Sequence, residues 1–207
     1  MRPPAIFSDT PSPMPGASRR TAILRAALEC FSTLGYARTT MEDIRMRAQA
    51  STGSLYHHFK SKEHLAAELF VAGLRSYRKR LARELSHHAD LRQGIRGVIE
   101  EHLRQSTDEP LWARYMHGRL AEISSDSENL DARRDTARGI AGDLAEWLEP
   151  FVTSGQVRRL TPTLYSALIY GAVRDVQRAQ LVEDIDTSDS ELVSLLAETA
   201  WNAVRSA

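Results

Sequence analysis

From Arg19 onward the apolar residues recur at three- and four-residue spacing, the period of a helix buried along one side. Ile23, Leu24, Ala27, Leu28, Phe31 and Leu34 make the first such stripe and predict a helix over about 19–34. Gly35 follows as its stop, because glycine enters the left-handed cap conformation without a steric penalty. A second helix opens at Thr39-Thr40, where Thr39-x-x-Glu42 and Thr40-x-x-Asp43 are both capping-box candidates, and ends near Ala48. Gln49-Ala50-Ser51 reads as a short turn, and a brief third helix covers about 52–59. Ser61 caps a long fourth helix over 62–86, with Leu65, Leu69, Leu74, Tyr77, Leu81 and Leu85 as its buried stripe. Further helices are predicted over roughly 91–106, 111–124, 128–152, 162–181 and 189–205. Their punctuation is Pro110 at a helix start, Pro150 and Gly155 at an end, Thr161-Pro162 at a start, and Ser188-x-x-Glu191 as the last cap. No alternating, β-branched run bounded by turns stands out, so the predicted fold class is all-α, with about nine helices. Residues 1–17 hold five of the eight prolines and no helical period, and read as a disordered tail.

Composition narrows the class. A chain of 207 residues with 42% hydrophobic and 26% charged residues is globular rather than disordered. Cys30 is the one cysteine, which excludes an intrachain disulfide and makes a reducing compartment the default. No apolar run approaches the roughly 18 residues needed to span a bilayer, and the proline-rich start does not resemble a secretory signal. The cytoplasm is the expected setting, with no membrane partner. The formal net charge of zero hides an asymmetry: residues 1–62 carry nine Lys or Arg against four acids, a net +5, and the remainder carries −5. A basic head on an acidic body suits a polyanion partner.

Two helices separated by a three-residue turn fit a helix-turn-helix, and its physics constrains its residues. The second helix must enter a major groove about 12 Å wide, so its leading residues should be small or polar. Here they are Ser51, Thr52, Gly53 and Ser54. Its inner face must pack, and Leu55 and Phe59 are spaced four apart to do so. Its flanks should donate to phosphates, as Tyr56, His57, His58 and Lys62 can. Metal binding by His57-His58 is disfavoured, since adjacent side chains on a helix diverge by about 100°. Arg19 and Arg20 are either a DNA-contacting arm or a solvated helix start, and Cys30 reads as a packed thiol.

These residues resemble the DNA-binding domain of TetR-family regulators. The resemblance is carried by Ala27-Leu28-x-x-Phe31-x-x-x-Gly35-Tyr36, by Thr39-Thr40-x-x-x-Ile44, and by the run from Ser51 through Tyr56-His57-His58-Phe59 to Lys62-Glu63-x-Leu65. It implies a disordered tail at 1–17, a DNA-binding domain at 18–65 with its helix-turn-helix motif at 40–59, and an effector-binding and dimerisation domain at 66–207. It further implies that Thr40 meets a phosphate at a helix N-terminus and that Thr52, Gly53 and Ser54 face base edges, with Ser51 a DNA-binding candidate at the head of the same helix. Tyr56 and His57 fall at phosphate or base-edge positions, and His58 and Lys62 at phosphate positions. Thr52 departs from the family pattern, where a longer polar or basic residue is common. Contact with a thymine methyl, a bridging water or readout by shape replaces guanine readout there.

The implied function is a repressor that binds a palindromic duplex operator as a homodimer and is released by a small apolar or aromatic effector. Candidate effector contacts are His102, Trp112, Tyr115, Met116, Arg119, Trp147, Tyr165 and Tyr170, an aromatic and polar mixture in the middle helices. Candidate dimer positions are Leu164, Leu168, Gly171, Ala172 and Val176 in one helix and Leu192, Leu195, Leu196, Ala200 and Val204 in the last. An activator or a ligand-independent DNA binder is the alternative within the family, and a helical enzyme the alternative outside it. No glycine-rich phosphate loop, metal-ligand cluster or nucleophile elbow appears in the sequence, so no catalytic residue, metal or cofactor is assigned.

Overall fold

The computed structural model describes residues 15–88, 90–119, 130–180, 183 and 185–206. Its elements are α1 (Pro15–Leu34), α2 (Met41–Arg47), α3 (Thr52–His58), α4 (Lys62–Ser86), α5 (Leu91–Asp108), α6 (Pro110–Arg119), α7 (Leu130–Thr153), α8 (Pro162–Ala179) and α9 (Ser190–Val204). The all-α expectation holds for the described residues; an isolated bridge between Val157 and Arg205 is the β pairing seen there.

Local chemistry explains most boundaries and corrects several. α1 begins at Pro15, inside the proline-rich stretch, because a proline at the first helical position forfeits no hydrogen bond. Residues 1–14, the rest of the expected tail, lie outside the described residues, as does the predicted extension of α6 to residue 124. Of the two candidate capping boxes, the Thr40–Asp43 box forms: Asp43 N–H donates to the Thr40 hydroxyl at 3.1 Å, and Thr40 N–H donates to the Asp43 carboxylate at 2.8 Å. Thr39 is instead buried, its hydroxyl 2.8 Å from the Gly35 carbonyl. α9 is capped by Asp189, whose carboxylate accepts from Glu191 N–H at 2.8 Å. Ser188 does not cap it, because its hydroxyl turns back to the Asp186 carboxylate at 2.6 Å. Pro150 sits within the last turn of α7 and does not end it; the stop is Gly155, at φ +80°.

The described residues form two compact units. The first holds the residues up to Ser76 together with Glu109–Arg134, and the second holds Tyr77–Asp108 and the residues from Asp135 onward. α4 contributes to both. Leu28, Phe31, Ile44, Leu55, Phe59, Leu65 and Leu69 are buried in the core of the first unit, and so are Trp112 and Tyr115 of α6. The Tyr115 hydroxyl donates to the Ala66 carbonyl at 2.6 Å, and Ser32 donates to the Leu111 carbonyl at 2.7 Å. The Trp112 indole packs against Gly73, where a Cβ would come within 1.9 Å of the ring. The compact head therefore runs past residue 65 and takes in α6, because the core of α1–α4 is closed by side chains about fifty residues downstream.

In the second unit α5 packs against α8 and α9, and α8 against α9. Trp147 of α7 covers Gly94 of α5 as Trp112 covers Gly73. Arg78 forks onto Asp143 at 2.6 and 2.7 Å. Glu101, buried on α5, is paired with Arg80 and Arg104.

The turn between α2 and α3 holds a backbone cost. Gln49 has φ +50°, a left-handed conformation that a side chain disfavours by about 1 kcal/mol or more. Gln49→Gly is expected to raise the midpoint of thermal unfolding by a few degrees, a gain tempered by the greater freedom of glycine in the unfolded chain. A calorimetric midpoint unchanged or lowered by the substitution would show that the Gln49 side chain compensates for the conformation.

Candidate nucleic-acid interface

α2, the turn and α3 build the site. α3 has only seven residues, and Leu55 and Phe59 bury its inner side completely. Ser51 caps it, its hydroxyl accepting from Ser54 N–H at 3.2 Å, which fixes where the helix begins. Ser51, Thr52 and Gly53 are exposed and Ser54 is half-buried. The outer side of α3 therefore starts with four residues that carry no bulk. Tyr56 and His57 are exposed beyond them, and His58 is half-buried. Thr40 is exposed at the start of α2, where the first backbone N–H groups of the helix face outward.

Two cationic side chains brace this motif. Arg19 of α1 donates to the carbonyls of Ala48 and Gln49 at 3.4 and 3.2 Å, and Arg45 donates to that of Ala50 at 3.0 Å. The carbonyls of Ala48, Gln49 and Ala50 are thus each met by a guanidinium. Arg20 pairs with Glu68 and lies over the Phe59 ring, 5.3 Å from its centroid. Both arginines, read from sequence as an arm or a solvated helix start, are engaged with the head. Lys62 is half-buried against the segment that leads into α2, while Lys60, passed over in the sequence reading, is exposed. No feature of sequence distinguishes two lysines two positions apart; their surroundings do.

The candidate effector residues do not form one group. Trp112 and Tyr115 are in the core of the first unit, with Met116 packed on it. The side chain of Arg119 lies outside the described residues. In the second unit Trp147 packs on Phe151, with ring centroids 5.4 Å apart. Tyr165 ties a loop, its hydroxyl donating to the Arg158 carbonyl at 2.8 Å and accepting from Leu160 N–H at 3.0 Å. His102 and Tyr170 do come together, ring centroids 5.1 Å apart, and Tyr77 of α4 joins them with its hydroxyl 2.8 Å from His102 Nδ1. Tyr77 was read from sequence only as a stripe residue. Burial pushes the hydroxyls of Tyr77 and Tyr170 well above the ordinary tyrosine range, so both remain protonated at neutral pH. The Tyr170 hydroxyl is buried and faces that of Tyr77. Cys30 is buried in the first unit, and burial pushes its thiol up, in keeping with a packing role.

Residues 23–69 match the model of bacterial regulatory proteins of the tetR family. The chain is similar to the transcriptional repressor KstR2 of Mycolicibacterium smegmatis, with 48% identity over 61 residues, which is 30% of this chain and 29% of that protein. It is also similar to the repressor Rv1474c of Mycobacterium tuberculosis, with 26% identity over 144 residues, 62% of this chain and 72% of that one. The head of the chain, residues 23–69, is thus of the tetR type. The chain's fold is shared with the fatty acid degradation regulator FadR of Bacillus halodurans, at TM-score 0.77 and 18% identity over 92% of this chain and 96% of the other. FadR of Bacillus subtilis, solved in complex with stearoyl-CoA, matches at TM-score 0.72 and 21% identity over 88% and 96%. The strongest sequence likeness thus falls on the head; the match to KstR2 spans less than a third of that repressor, and the rest of the chain is like its TetR-family neighbours in fold.

His58 gives this head a pH signature. Burial holds its pKa below the ordinary imidazole value, and nearby His57, Arg20 and Arg19 push the same way. Its neutral form is therefore favoured by folding, and that stability is lost as pH falls below about 6.5, the ordinary histidine value. A phosphate placed beside it would reverse the preference and draw in a proton. Duplex affinity is expected to rise between about pH 7.5 and 5.5 more steeply than in His58→Gln. Equal pH slopes for the two proteins, measured by fluorescence anisotropy, would remove His58 from the interface.

Proposed function

We propose that this protein is a dimeric transcriptional repressor of the TetR type that binds a palindromic duplex operator and is released from it by a small, largely apolar effector. The carrying observation is α3: a short helix locked from behind by Leu55 and Phe59 and presenting Ser51 to Ser54 at its exposed start. Such an end lets backbone approach base edges without steric conflict. In this reading Thr52, Gly53 and Ser54 face bases, and Thr40, Tyr56, His57 and His58 face phosphates. The cytoplasm is its proposed setting, and no described helix is long and apolar enough to cross a membrane.

The dimer is proposed to form through α8 and α9. Leu164, Leu168, Gly171 and Ala172 are exposed on α8, and Leu195 is 65% exposed on α9. Leu196, Ala200 and Val204, grouped with them in the sequence reading, are buried within the protomer itself. The effector is proposed to bind the second unit, where Tyr77, His102 and Tyr170 bring three rings with hydrogen-bonding groups together as polar anchors. The stearoyl-CoA complex of Bacillus subtilis FadR supports a ligand with a long apolar part. α4 belongs to both units and gives the effector a covalent route to the head.

Three outcomes follow from this reading. Selection of genomic fragments should enrich a two-fold symmetric site, and Thr52→Arg should shift the enriched site toward guanine at one position in each half, since arginine pairs with the major-groove edge of guanine. An unchanged site profile would exclude base contact by residue 52. Sedimentation should show twice the chain mass for the parent, and Leu195→Asp should shift it toward the monomer, because an unpaired charge in an apolar interface costs several kcal/mol. A monomeric parent at micromolar concentration would end the dimer proposal. Titration of the selected fragment with and without stearoyl-CoA tests release: an effector should weaken binding about 5- to 150-fold. Ligands that bind the protein yet leave operator affinity unchanged would favour a ligand-independent regulator.

A further inference from the structure

Lys60 and Lys62 flank the end of α3, and the structure gives them opposite surroundings. The Lys62 ammonium is 3.0 Å from the Tyr36 carbonyl, 3.4 Å from that of Ala37 and 2.9 Å from that of Thr39. It also lies 4.4 Å from the centroid of the Tyr36 ring. An ammonium has three N–H donors and no acceptor, so these three carbonyls use its whole capacity. The Tyr36 hydroxyl in turn donates to Glu63 at 3.1 Å, closing the arrangement from the other side. Lys60 is exposed, and its ammonium has no partner among the described residues. Its backbone N–H is fixed to His64 Nδ1 at 3.4 Å, which holds its place just beyond α3.

Resting on the DNA-binding reading above, we infer that Lys60, and not Lys62, makes the phosphate contact at this end of the recognition helix, and that Lys62 is a positioning residue. The segment Lys62 holds, Tyr36 to Thr39, leads directly into Thr40, the cap of α2. Lys62 thereby fixes where Thr40, exposed at the start of α2, lies. To reach a phosphate itself, Lys62 would have to surrender three carbonyls and the Tyr36 face. Lys60 surrenders nothing but water.

The two roles separate by salt dependence. Each phosphate neutralised by a side chain contributes about 0.9 to the slope of log affinity against log salt. Lys60→Gln should make the slope shallower by about 1.8 for a dimer, weaken all duplexes alike, and leave the thermal midpoint of the free protein unchanged. Lys62→Met, which keeps the stem, should lower that midpoint by several degrees and reduce affinity while leaving the slope as in the parent. Lys62→Arg decides the matter further. It keeps the charge, so a direct phosphate contact would survive it, whereas a planar guanidinium does not fit the niche of three carbonyls and an aromatic face. It should therefore behave as Lys62→Met does. A shallower slope for Lys62→Met together with full affinity in Lys62→Arg would overturn the inference, as would an unchanged slope for Lys60→Gln. The stability arm needs no DNA: an unshifted midpoint in both Lys62 variants removes the clamp even if the duplex reading fails, and a parent that retains no fragment at any salt overturns the duplex reading on its own.

Discussion

The burial of Leu55 and Phe59 is the constraint on which the head depends. A helix of seven residues has little stability by itself, because nucleation costs more than so few hydrogen bonds return. α3 exists because both residues are fully buried against α1, α2 and the start of α4. Burying two such side chains contributes on the order of 3–6 kcal/mol, enough to hold about two turns of helix in place. Everything on its outer face inherits that rigidity, so small residues at its start remain a recognition surface rather than a frayed end.

Polar contacts then refine what apolar burial sets. Arg19 and Arg45 satisfy the carbonyls of a turn that includes a left-handed glutamine, and Lys62 satisfies those of the loop before it. Loops of a compact head cannot leave carbonyls half-buried and unmet without cost. Using long cationic side chains for this purpose has a consequence for function. Several of the nine cationic side chains in the first 62 residues are held by internal partners, so fewer than nine are free to reach a polyanion. Arg47 and Arg20, paired with Glu29 and Glu68, belong to the same category.

α6 and the second unit show a different use of polar groups. Trp112 and Trp147 each pack an indole against a helical glycine, Gly73 and Gly94, an approach that any larger residue would prevent. Tyr77, His102 and Tyr170 bring three hydrogen-bonding rings together in the second unit, with the Tyr77 hydroxyl 2.8 Å from His102 Nδ1. Buried polar groups are tolerated where they find one another, because an unmet one costs about 1–3 kcal/mol.

The sequence by itself determined the helical class, α4 to within its ends, the Gly35 stop, the short polar start of α3 and the family resemblance. Each of these is a local property: a periodicity, a cap, a run of small residues. The same locality explains what it missed. Whether Thr39 or Thr40 caps α2, and whether Ser188 or Asp189 caps α9, depends on which hydroxyl is drawn away by another partner. That Trp112 and Tyr115 are buried in the same core as α1–α4 follows from contacts between residues far apart in the chain. Leu195 and Leu196 are equivalent in composition, and only the packing of α9 makes one exposed and the other buried. Lys60 and Lys62 are the sharpest case. Identical side chains two residues apart differ in role because one folds against three carbonyls of a distant loop and the other faces solvent, a distinction that only tertiary structure draws.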